Sequence, residues 1–480
     1  MINSGNSNWD NIIFLPVTFL AICILMATFY DLFLKSVFIT VISGLYWIRL
    51  VLTPVVMSMA DYAVVSENRD WEIYLPQAFL LECYGAIVAF MLITIFSHKI
   101  RVACNKDSSY KSIYYPLTFK MGVVICLFFS MVMFCSWPNL IRYFFITILG
   151  APKTWYVFVE QRSLGGTGEG PLGIFVTLLG YLIVIFQIIL PPLVLTLILN
   201  KRNKMEAYGY SEKKILRSIL PLSALLIIIT GFIATESRAN TVIAAACLLL
   251  TLMSFSNKKE KKILFVFLIM LFCMAAGALW YKTTYQSSLN TTGGLNRISQ
   301  LLGEYFAGPQ NIAASIQAVK RNGGPDLKYI LVDILNHAPY GSHFLPDSLK
   351  SVESSTVLFN KSLYNVSWMS NYDQIIPSVG QGYFWFGFLL APLNTAITVA
   401  LGIWFEIRVR KATTPLYRNI LFWGCTCMGF SASSNNLSQA CCFLWYIFVA
   451  LLIAGLTHLY IYTVPGDERR AKQCHGESNE

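Results

Sequence analysis

The sequence has few charged residues. Of its 480 residues, only 13% are Asp, Glu, Lys or Arg, while 56% are hydrophobic. A soluble domain carries about 25% charged residues, which cover its surface in water. The chain lacks that polar surface, so its composition predicts an integral membrane protein.

The one long polar segment of the sequence, residues 282–378, contains no cysteine, although the chain has twelve cysteines in all. Nearly all of them lie in apolar runs, as expected for small buried hydrophobic residues. Cys425 and Cys427 have the spacing of half a metal site, but no second pair of ligands accompanies them. The sequence therefore predicts no disulfide framework, no metal site and no cofactor.

Long apolar runs recur along the whole chain. A transmembrane helix needs about 20 mostly apolar residues, and eleven runs approach or exceed that length. We therefore predict an all-α polytopic membrane protein with about eleven transmembrane helices, kinked where Pro191, Pro192 and Pro392 fall inside a run. The first run is too long for a signal peptide and is expected to remain as a span. The predicted spans are Ile12–Tyr30, Val37–Ala60, Tyr74–Ser97, Pro116–Ser136, Leu172–Leu199, Ile219–Ala234, Asn240–Phe255, Ile263–Tyr281, Gly382–Phe405, Asn419–Ala432 and Ser438–Thr463.

Lysine and arginine are distributed unevenly between the connections. One set of alternate connections, together with the C-terminal tail, holds 22 of them, and the short connections of the other set hold 5. The positive-inside rule places the first set in the cytoplasm. The N-terminus is then outside and the tail, residues 464–480, is inside. The net charge of +11 is read as this topological signal rather than as a nucleic-acid surface.

Two connections on the predicted outer side are longer than a turn. Residues 137–171 interrupt an N-terminal bundle of about eight spans (1–281), and residues 282–378 precede about three C-terminal spans (379–463). The second connection mixes aromatic, polar and glycine residues with short apolar runs. It is expected to form a small helical extracytoplasmic cap rather than a disordered linker.

Two charged residues lie well inside predicted spans. Arg49 and Glu82 fall on consecutive spans at similar depths, counted at about 1.5 Å of rise per residue. We predict that they are neighbours. Intramembrane charges commonly mark functional sites, so Arg49 is a candidate substrate-binding residue; the alternative is a structural ion pair that locks two helices.

Four further arginines lie on or near the predicted outer face, where the positive-inside rule depletes them: Arg142, Arg162, Arg238 and Arg297. A guanidinium presents five N–H donors in a planar fork that matches phosphate oxygens. Together the four would suit a lipid-linked diphosphate, and individually each could be a headgroup anchor. Arg238 is the strongest candidate because it sits in a tight turn between two spans.

The chain combines a Ser-Arg turn at Arg238, one large outer loop, and the sequence PSVGQGYFWFG (377–387) entering a span. Together these features resemble Wzy-type O-antigen and capsule repeat-unit polymerases. Some of these polymerases also carry an arginine and a glycine separated by ten residues in each of two outer loops. Arg162 and Gly173 have that spacing, as do Arg297 and Gly308. The turn continues with Ala239 where the family often has glycine.

The resemblance implies a membrane glycosyltransferase acting on undecaprenyl-diphosphate-linked oligosaccharides at the outer face of a bacterial cytoplasmic membrane. A hydroxyl of a new repeat unit would attack the anomeric carbon of the growing glycan with inversion, and the lipid diphosphate would leave. Arginines would neutralise that leaving group without a metal. A general base is also needed, and the outer-loop candidates are His337, His343 and Glu304. A flippase and a chain-length regulator are the implied protein partners.

Two other functions remain open. O-antigen ligases share the general plan, and only the paired arginine–glycine spacings favour a polymerase. A flippase or transporter of lipid-linked glycans would show short outer loops and polar residues inside the bundle, which is the reverse of the pattern here.

Overall fold

The computed structural model describes residues 30–32, 35–59, 70–105, 171–233, 238–256, 260–270, 308–338, 341–364 and 374–463, together with a few single positions. These residues are mostly helical, and the described part of the chain contains no β-strand. The predicted spans Ile12–Tyr30 and Pro116–Ser136 lie outside it, apart from isolated positions.

Most predicted spans with described residues coincide with helices. Residues 260–270 are also helical, and short 3₁₀ turns cover Asp70–Tyr74 and Gly341–Phe344. The labelled helices are α1 (Val37–Trp47), continued by a π-turn (Ile48–Leu52) and α2 (Thr53–Met59), then α3 (Leu75–Cys104), α4 (Pro171–Ala207), α5 (Glu212–Ile233), α6 (Arg238–Ser254), α7 (Gly308–Arg321), α8 (Lys328–His337), α9 (Asp347–Lys350), α10 (Ser355–Tyr364), α11 (Ser378–Phe386), α12 (Leu393–Lys411), α13 (Pro415–Ser433) and α14 (Leu437–Thr463).

Two helical stretches in the described part of the chain are long and apolar enough to cross a membrane by themselves. They are Asp70–Cys104 and Leu437–Gly455. Shorter apolar helices cover Val37–Leu52 and Ile243–Ser254. Together with the composition, these helices support a membrane protein built from helices.

The predicted span Gly382–Phe405 is wrong as a continuous helix. The chain instead forms α11, breaks over residues 387–392, and resumes as α12. Gly387 ends α11 with φ of 75°, a left-handed backbone conformation that glycine adopts without steric cost. Pro392 then stands at the N-cap of α12 rather than inside it. A hydropathy window cannot register this break, because the intervening residues are themselves apolar.

Helix α4 runs through both of its prolines. Pro192 has no N–H group, so the carbonyl of Ile188 loses its helical donor. Asn419 of α13 supplies a replacement, since its Nδ2 donates to that carbonyl at 3.1 Å. The proline-containing helix is thereby joined to α13, and this contact shows how a bundle tolerates proline within a helix.

Helix α7 belongs to the segment predicted to be an outer cap, yet it packs inside the bundle. It lies against α3 and α11, and its residues from Gly308 to Val319 are buried. Arg321 at its C-terminal end pairs with Asp70 at 3.2 Å, next to the start of α3. The apolar core is continuous from α1 and α3 through α7 to α14. The described part of the 282–378 segment is helical, and part of it therefore shares the core of the membrane helices.

Candidate functional site

Arg49 and Glu82 form a buried ion pair. Arg49 Nη2 lies 3.3 Å from Glu82 Oε2, and each side chain is 2% exposed. The prediction that these two residues are neighbours is confirmed. Arg49 Nη1 also donates to the carbonyl of Ser433, one of the last four carbonyls of α13, which have no donor within their own helix.

Arg49 lies on the π-turn between α1 and α2, where the N–H of Thr53 donates to the carbonyl of Ile48, five residues earlier. Such turns insert one extra residue into a helix and are frequent at functional sites. Gly308, at the start of α7, packs directly on Arg49. A Cβ at Gly308 would lie 3.1 Å from the Arg49 carbonyl oxygen and 3.5 Å from its Nε. The glycine of the second arginine–glycine motif therefore touches the buried arginine.

Gln381 of the motif at 377–387 joins three helices. Its Oε1 accepts the backbone N–H groups of Leu437 and Ser438, at 3.0 and 3.4 Å. Its Nε2 donates to Ser438 Oγ and, at 3.3 Å, to Asp333 Oδ2. Gln381 thus caps the N-terminus of α14 from another helix, because these first N–H groups have no partner within α14.

Asp333 is a fully buried carboxylate on α8. It accepts from the Ser355 backbone N–H at 2.7 Å, from Ser355 Oγ at 2.6 Å, and from Trp385 Nε1 at 2.8 Å. Burial raises the pKa of this carboxyl above its usual range, and the hydrogen bonds from Ser355 and Trp385 oppose that rise. The carboxylate therefore fixes α8 to both α10 and α11.

Two hydrogen-bonded groups lie inside the bundle: Arg49 with Glu82 and the Ser433 carbonyl, and Asp333 with Gln381 and Ser438. We use the name polar layer for the hydrogen-bonded side chains of Arg49, Glu82, Asp333, Gln381 and Ser438 and the carbonyl of Ser433. The N-termini of α7, α11 and α14 and the C-terminus of α13 all end at or beside it. Helix ends expose unpaired backbone groups, which are stable inside a bundle only when they are satisfied by protein or line a polar cavity.

The two candidate histidines lie in different environments. His337 ends α8, and its Nδ1 lies 2.8 Å from the carbonyl oxygen of Asp333. A carbonyl only accepts, so Nδ1 is the donor in this contact and Nε2 is the ring nitrogen that stays open to another partner. His343 is exposed on the 3₁₀ turn Gly341–Phe344. Of the two, His337 is held one helical turn from the polar layer.

Arg238 is the first residue of α6, and α5 ends at Ile233. The turn was predicted to continue to Asn240, so the helix begins two residues earlier than expected. The side chain of Arg238 lies outside the described part of the structure. The same is true of every atom of four other candidates: Arg142, Arg162, Arg297 and Glu304.

Sequence reasoning missed Asp333 and the roles of Gln381 and Ser438. A single acidic residue in the apolar run KYILVDILNH was the available signal for Asp333, because a charge in such a run is costly unless it is paired. Gln381 stood inside a quoted motif, but nothing local indicated its partners, which are 48 and 57 residues away.

Comparison with known proteins finds no matching family model, no matching curated protein and no matching solved structure. The chemistry of the site is therefore read from its geometry. The polar layer offers a guanidinium, carboxylates, amide and hydroxyl groups within an apolar bundle. Such a set joins helix ends inside the bundle, and buried charged and polar groups of this kind also mark ligand sites in membrane proteins.

Proposed function

We propose that this chain is a membrane glycosyltransferase that polymerises undecaprenyl-diphosphate-linked oligosaccharide repeat units into O-antigen or capsular polysaccharide. It would act at the outer face of a bacterial cytoplasmic membrane, with about eleven spans, its N-terminus outside and its C-terminus in the cytoplasm. The observation that carries the proposal is the polar layer, where broken helix ends and a buried arginine meet inside an apolar bundle.

Three features support this reading. Both sequence motifs with described partners lead to the polar layer: Gly308 packs on Arg49, and Gln381 and Trp385 bond to Asp333. Discontinuous helices inside a bundle form the substrate sites of secondary transporters, so this feature supports binding of a polar substrate and is shared with the flippase alternative. Arg238 stands at the N-terminus of α6, where backbone N–H groups and the helix dipole also favour a phosphate.

In the proposed mechanism, Arg238 binds the diphosphates and stabilises negative charge on the leaving one, with Arg162, Arg297 and Arg142 guiding the lipid-linked glycan. His337 would take the proton of the attacking hydroxyl through Nε2, since its Nδ1 is occupied by the Asp333 carbonyl. His343 and Glu304 remain the other candidates for this base. The bond from the anomeric carbon to the diphosphate breaks as the new glycosidic bond forms.

The deciding experiment replaces Arg238 by Lys in the native strain and examines the length distribution of the surface glycan. Lysine keeps the charge but loses the bidentate fork, so we expect mostly single repeats in place of a long ladder. Removal of one preorganised donor lowers rates by about 10²–10³. Arg238→Ala should be at least as severe, and Arg217→Lys, at an exposed position on α5, is the matched control. A wild-type ladder from a normally expressed Arg238→Ala variant would refute the catalytic role of Arg238.

Deletion of the whole gene separates the alternatives. Loss of the polymerase leaves one repeat unit per acceptor, whereas loss of an O-antigen ligase leaves none. Loss of a flippase also leaves none, and it traps lipid-linked repeats on the cytoplasmic face of the membrane.

A further inference from the structure

The turn between α4 and α5, residues 208–211, carries a cluster of lysine and tyrosine side chains. Lys204 Nζ lies 6.0 Å from the centroid of the Tyr208 ring, and Lys214 Nζ lies 4.1 Å from that of Tyr210. The two rings are 6.5 Å apart, with an angle of 65° between their planes. The four side chains therefore form one continuous group, which we call the tip cluster.

The tip cluster faces outward from the bundle. Tyr208 is 70% exposed, Tyr210 is 44% exposed, and both lysines are exposed as well. Tyrosine has an apolar ring and a polar hydroxyl, and it is enriched at membrane–water interfaces, where one end is apolar and the other wet. Two exposed tyrosines held side by side on one turn therefore indicate contact with a membrane surface.

The height of the tip cluster along the hairpin matches that of lipid headgroups. Lys201 Nζ donates to the Ser218 carbonyl at 2.7 Å, so these residues lie at a similar height on α4 and α5. At about 1.5 Å of rise per residue, Lys204 and Lys214 lie about 7–9 Å beyond Leu199, where the predicted span ends. The headgroup layer is about 5–7 Å thick on each side of the hydrocarbon core. The ammonium groups can therefore reach lipid phosphates.

One face of α5 changes from basic to apolar toward the membrane. Lys213 is exposed, Leu216 is 66% exposed and Leu220 is 63% exposed. Their spacing of three and then four residues places them on the same side of the helix. An anionic phospholipid has the same order, with a charged phosphate above apolar acyl chains, so this face matches a whole lipid better than a free anion.

The charge of the hairpin favours an anionic partner. Residues 201–217 contain six lysines and arginines but only two glutamates. One of these, Glu206, is paired with Arg202 at 2.7 Å, and Arg202 also pairs with Glu260 at 2.6 Å. Lys204 and Lys214 contact aromatic rings, which leave the full positive charge on each ammonium group.

We propose that the α4–α5 hairpin binds anionic phospholipids, with their phosphate groups at the tip cluster and Lys213 and their acyl chains along Leu216 and Leu220. Lysine binds phosphate as a point charge. Basic clusters next to a membrane helix attract anionic lipids, and each lysine near the surface raises the affinity about fivefold. In the proposed topology these lipids belong to the cytoplasmic leaflet. The binding itself does not depend on the proposed enzymatic function.

The experiment titrates phosphatidylglycerol into the purified full-length protein in a zwitterionic detergent and follows Tm, because a ligand that binds the folded state raises Tm. The Tm of the wild type should rise with phosphatidylglycerol and much less with phosphatidylcholine. Replacing Lys204 and Lys214 together by Gln should weaken the apparent affinity for phosphatidylglycerol about 30-fold. Replacing the same two residues by Arg keeps both charges and should largely restore the affinity.

The matched control is the pair Lys261→Gln and Lys262→Gln. Both lysines are exposed, and they follow Glu260, which the ion pair with Arg202 holds beside the hairpin. This pair removes the same charge at a similar height but leaves the tip cluster intact, so its affinity for phosphatidylglycerol should stay close to that of the wild type. An equal loss in both pairs would show that general surface charge attracts the lipid, and it would overturn the proposed site.

Two further results would overturn the proposal. If inorganic phosphate alone raises Tm as much as phosphatidylglycerol at the same concentration, the hairpin binds a free anion rather than a lipid. If the wild type responds equally to phosphatidylglycerol and phosphatidylcholine, the hairpin does not select anionic lipids, and an acidic protein becomes the alternative partner. Each variant is compared with its own Tm without lipid. Should the Gln pair not fold, Lys213→Gln replaces it, with an expected loss of about fivefold.

Discussion

The two ends of the α12–α13 hairpin use buried polar groups in different ways. Near the connection, Asn419 bridges α4 and α6, and the Glu406 carboxylate accepts from the Phe38 N–H at 3.1 Å and from Arg410. At the other end, Asn394 and Ser431 have no partner among the described residues. Both asparagines of the hairpin are buried, but only in Asn419 do both amide atoms have a hydrogen-bond partner.

The difference separates two uses of polarity inside a membrane protein. A fully bonded group such as Asn419 joins helices and replaces bonds that a proline has removed. A buried polar group without a hydrogen-bond partner lowers the stability of the fold, and it can still bond to a polar ligand or to water. The α12–α13 hairpin contains both kinds, because Asn419 bonds to two other helices while Asn394 has no partner among the described residues.

The largest expected effect concerns the Arg49–Glu82 ion pair, which lies at the Ser433 end of the α12–α13 hairpin. Arg49→Met leaves the Glu82 carboxylate buried without its cation, which should cost about 3–5 kcal/mol of unfolding free energy. Replacing both residues, as Arg49→Met with Glu82→Leu, should recover most of that loss. Thermal or denaturant unfolding in detergent measures both, with Arg217→Met at an exposed position as the control. A double variant as unstable as the single one would show that charge is not the cause.

A smaller effect should appear in the pH dependence contributed by Asp333. Burial raises the pKa of its carboxyl in the folded protein above the value in the unfolded chain. Its contribution to stability is therefore fully present below the unfolded pKa, and it is lost as pH rises through the folded pKa. Relative to Asp333→Asn, the wild-type protein should lose Tm from about pH 4 upward.

Subtracting the Tm of Asp333→Asn from that of the wild type at each pH cancels the contributions of the other titrating groups. The absolute Tm of Asp333→Asn is not informative, because the new NH₂ group would face the donors of Ser355 and Trp385. A Tm difference that is constant between pH 4 and pH 8 would contradict the raised pKa.

The smallest expected effect tests the close packing of Gly308 on Arg49. Gly308→Ala places a Cβ 3.1 Å from the Arg49 carbonyl oxygen, so α7 must shift by a few tenths of an ångström. Gly44→Ala, on α1, meets no atom within 4 Å and should stabilise the helix by about 0.5–1 kcal/mol. We expect Tm to fall in the first variant and rise in the second. A rise in both would mean that α7 adapts freely to Arg49.

The sequence by itself determined the helical membrane character and the Arg49–Glu82 contact. Long apolar runs can be stable in lipid only as helices or closed barrels, and uniform helical rise places two charges on consecutive helices at one depth. The helix that follows the predicted turn was expected to begin at Asn240, and α6 begins two residues earlier, at Arg238. The roles of Arg238 and the other outer arginines stay predictions.

Only the tertiary structure decided the break between α11 and α12, the burial of α7, and the contacts of Gln381, Asp333 and Asn394. Hydropathy averages over a window, so it places a polar segment such as α7 outside the bundle and joins two apolar helices across a turn. Whether a buried polar atom is satisfied depends on residues far away in the chain. Gln381 and Asn394 are only 13 positions apart, yet long-range packing gives one amide partners on two other helices and leaves the other amide unpartnered among the described residues.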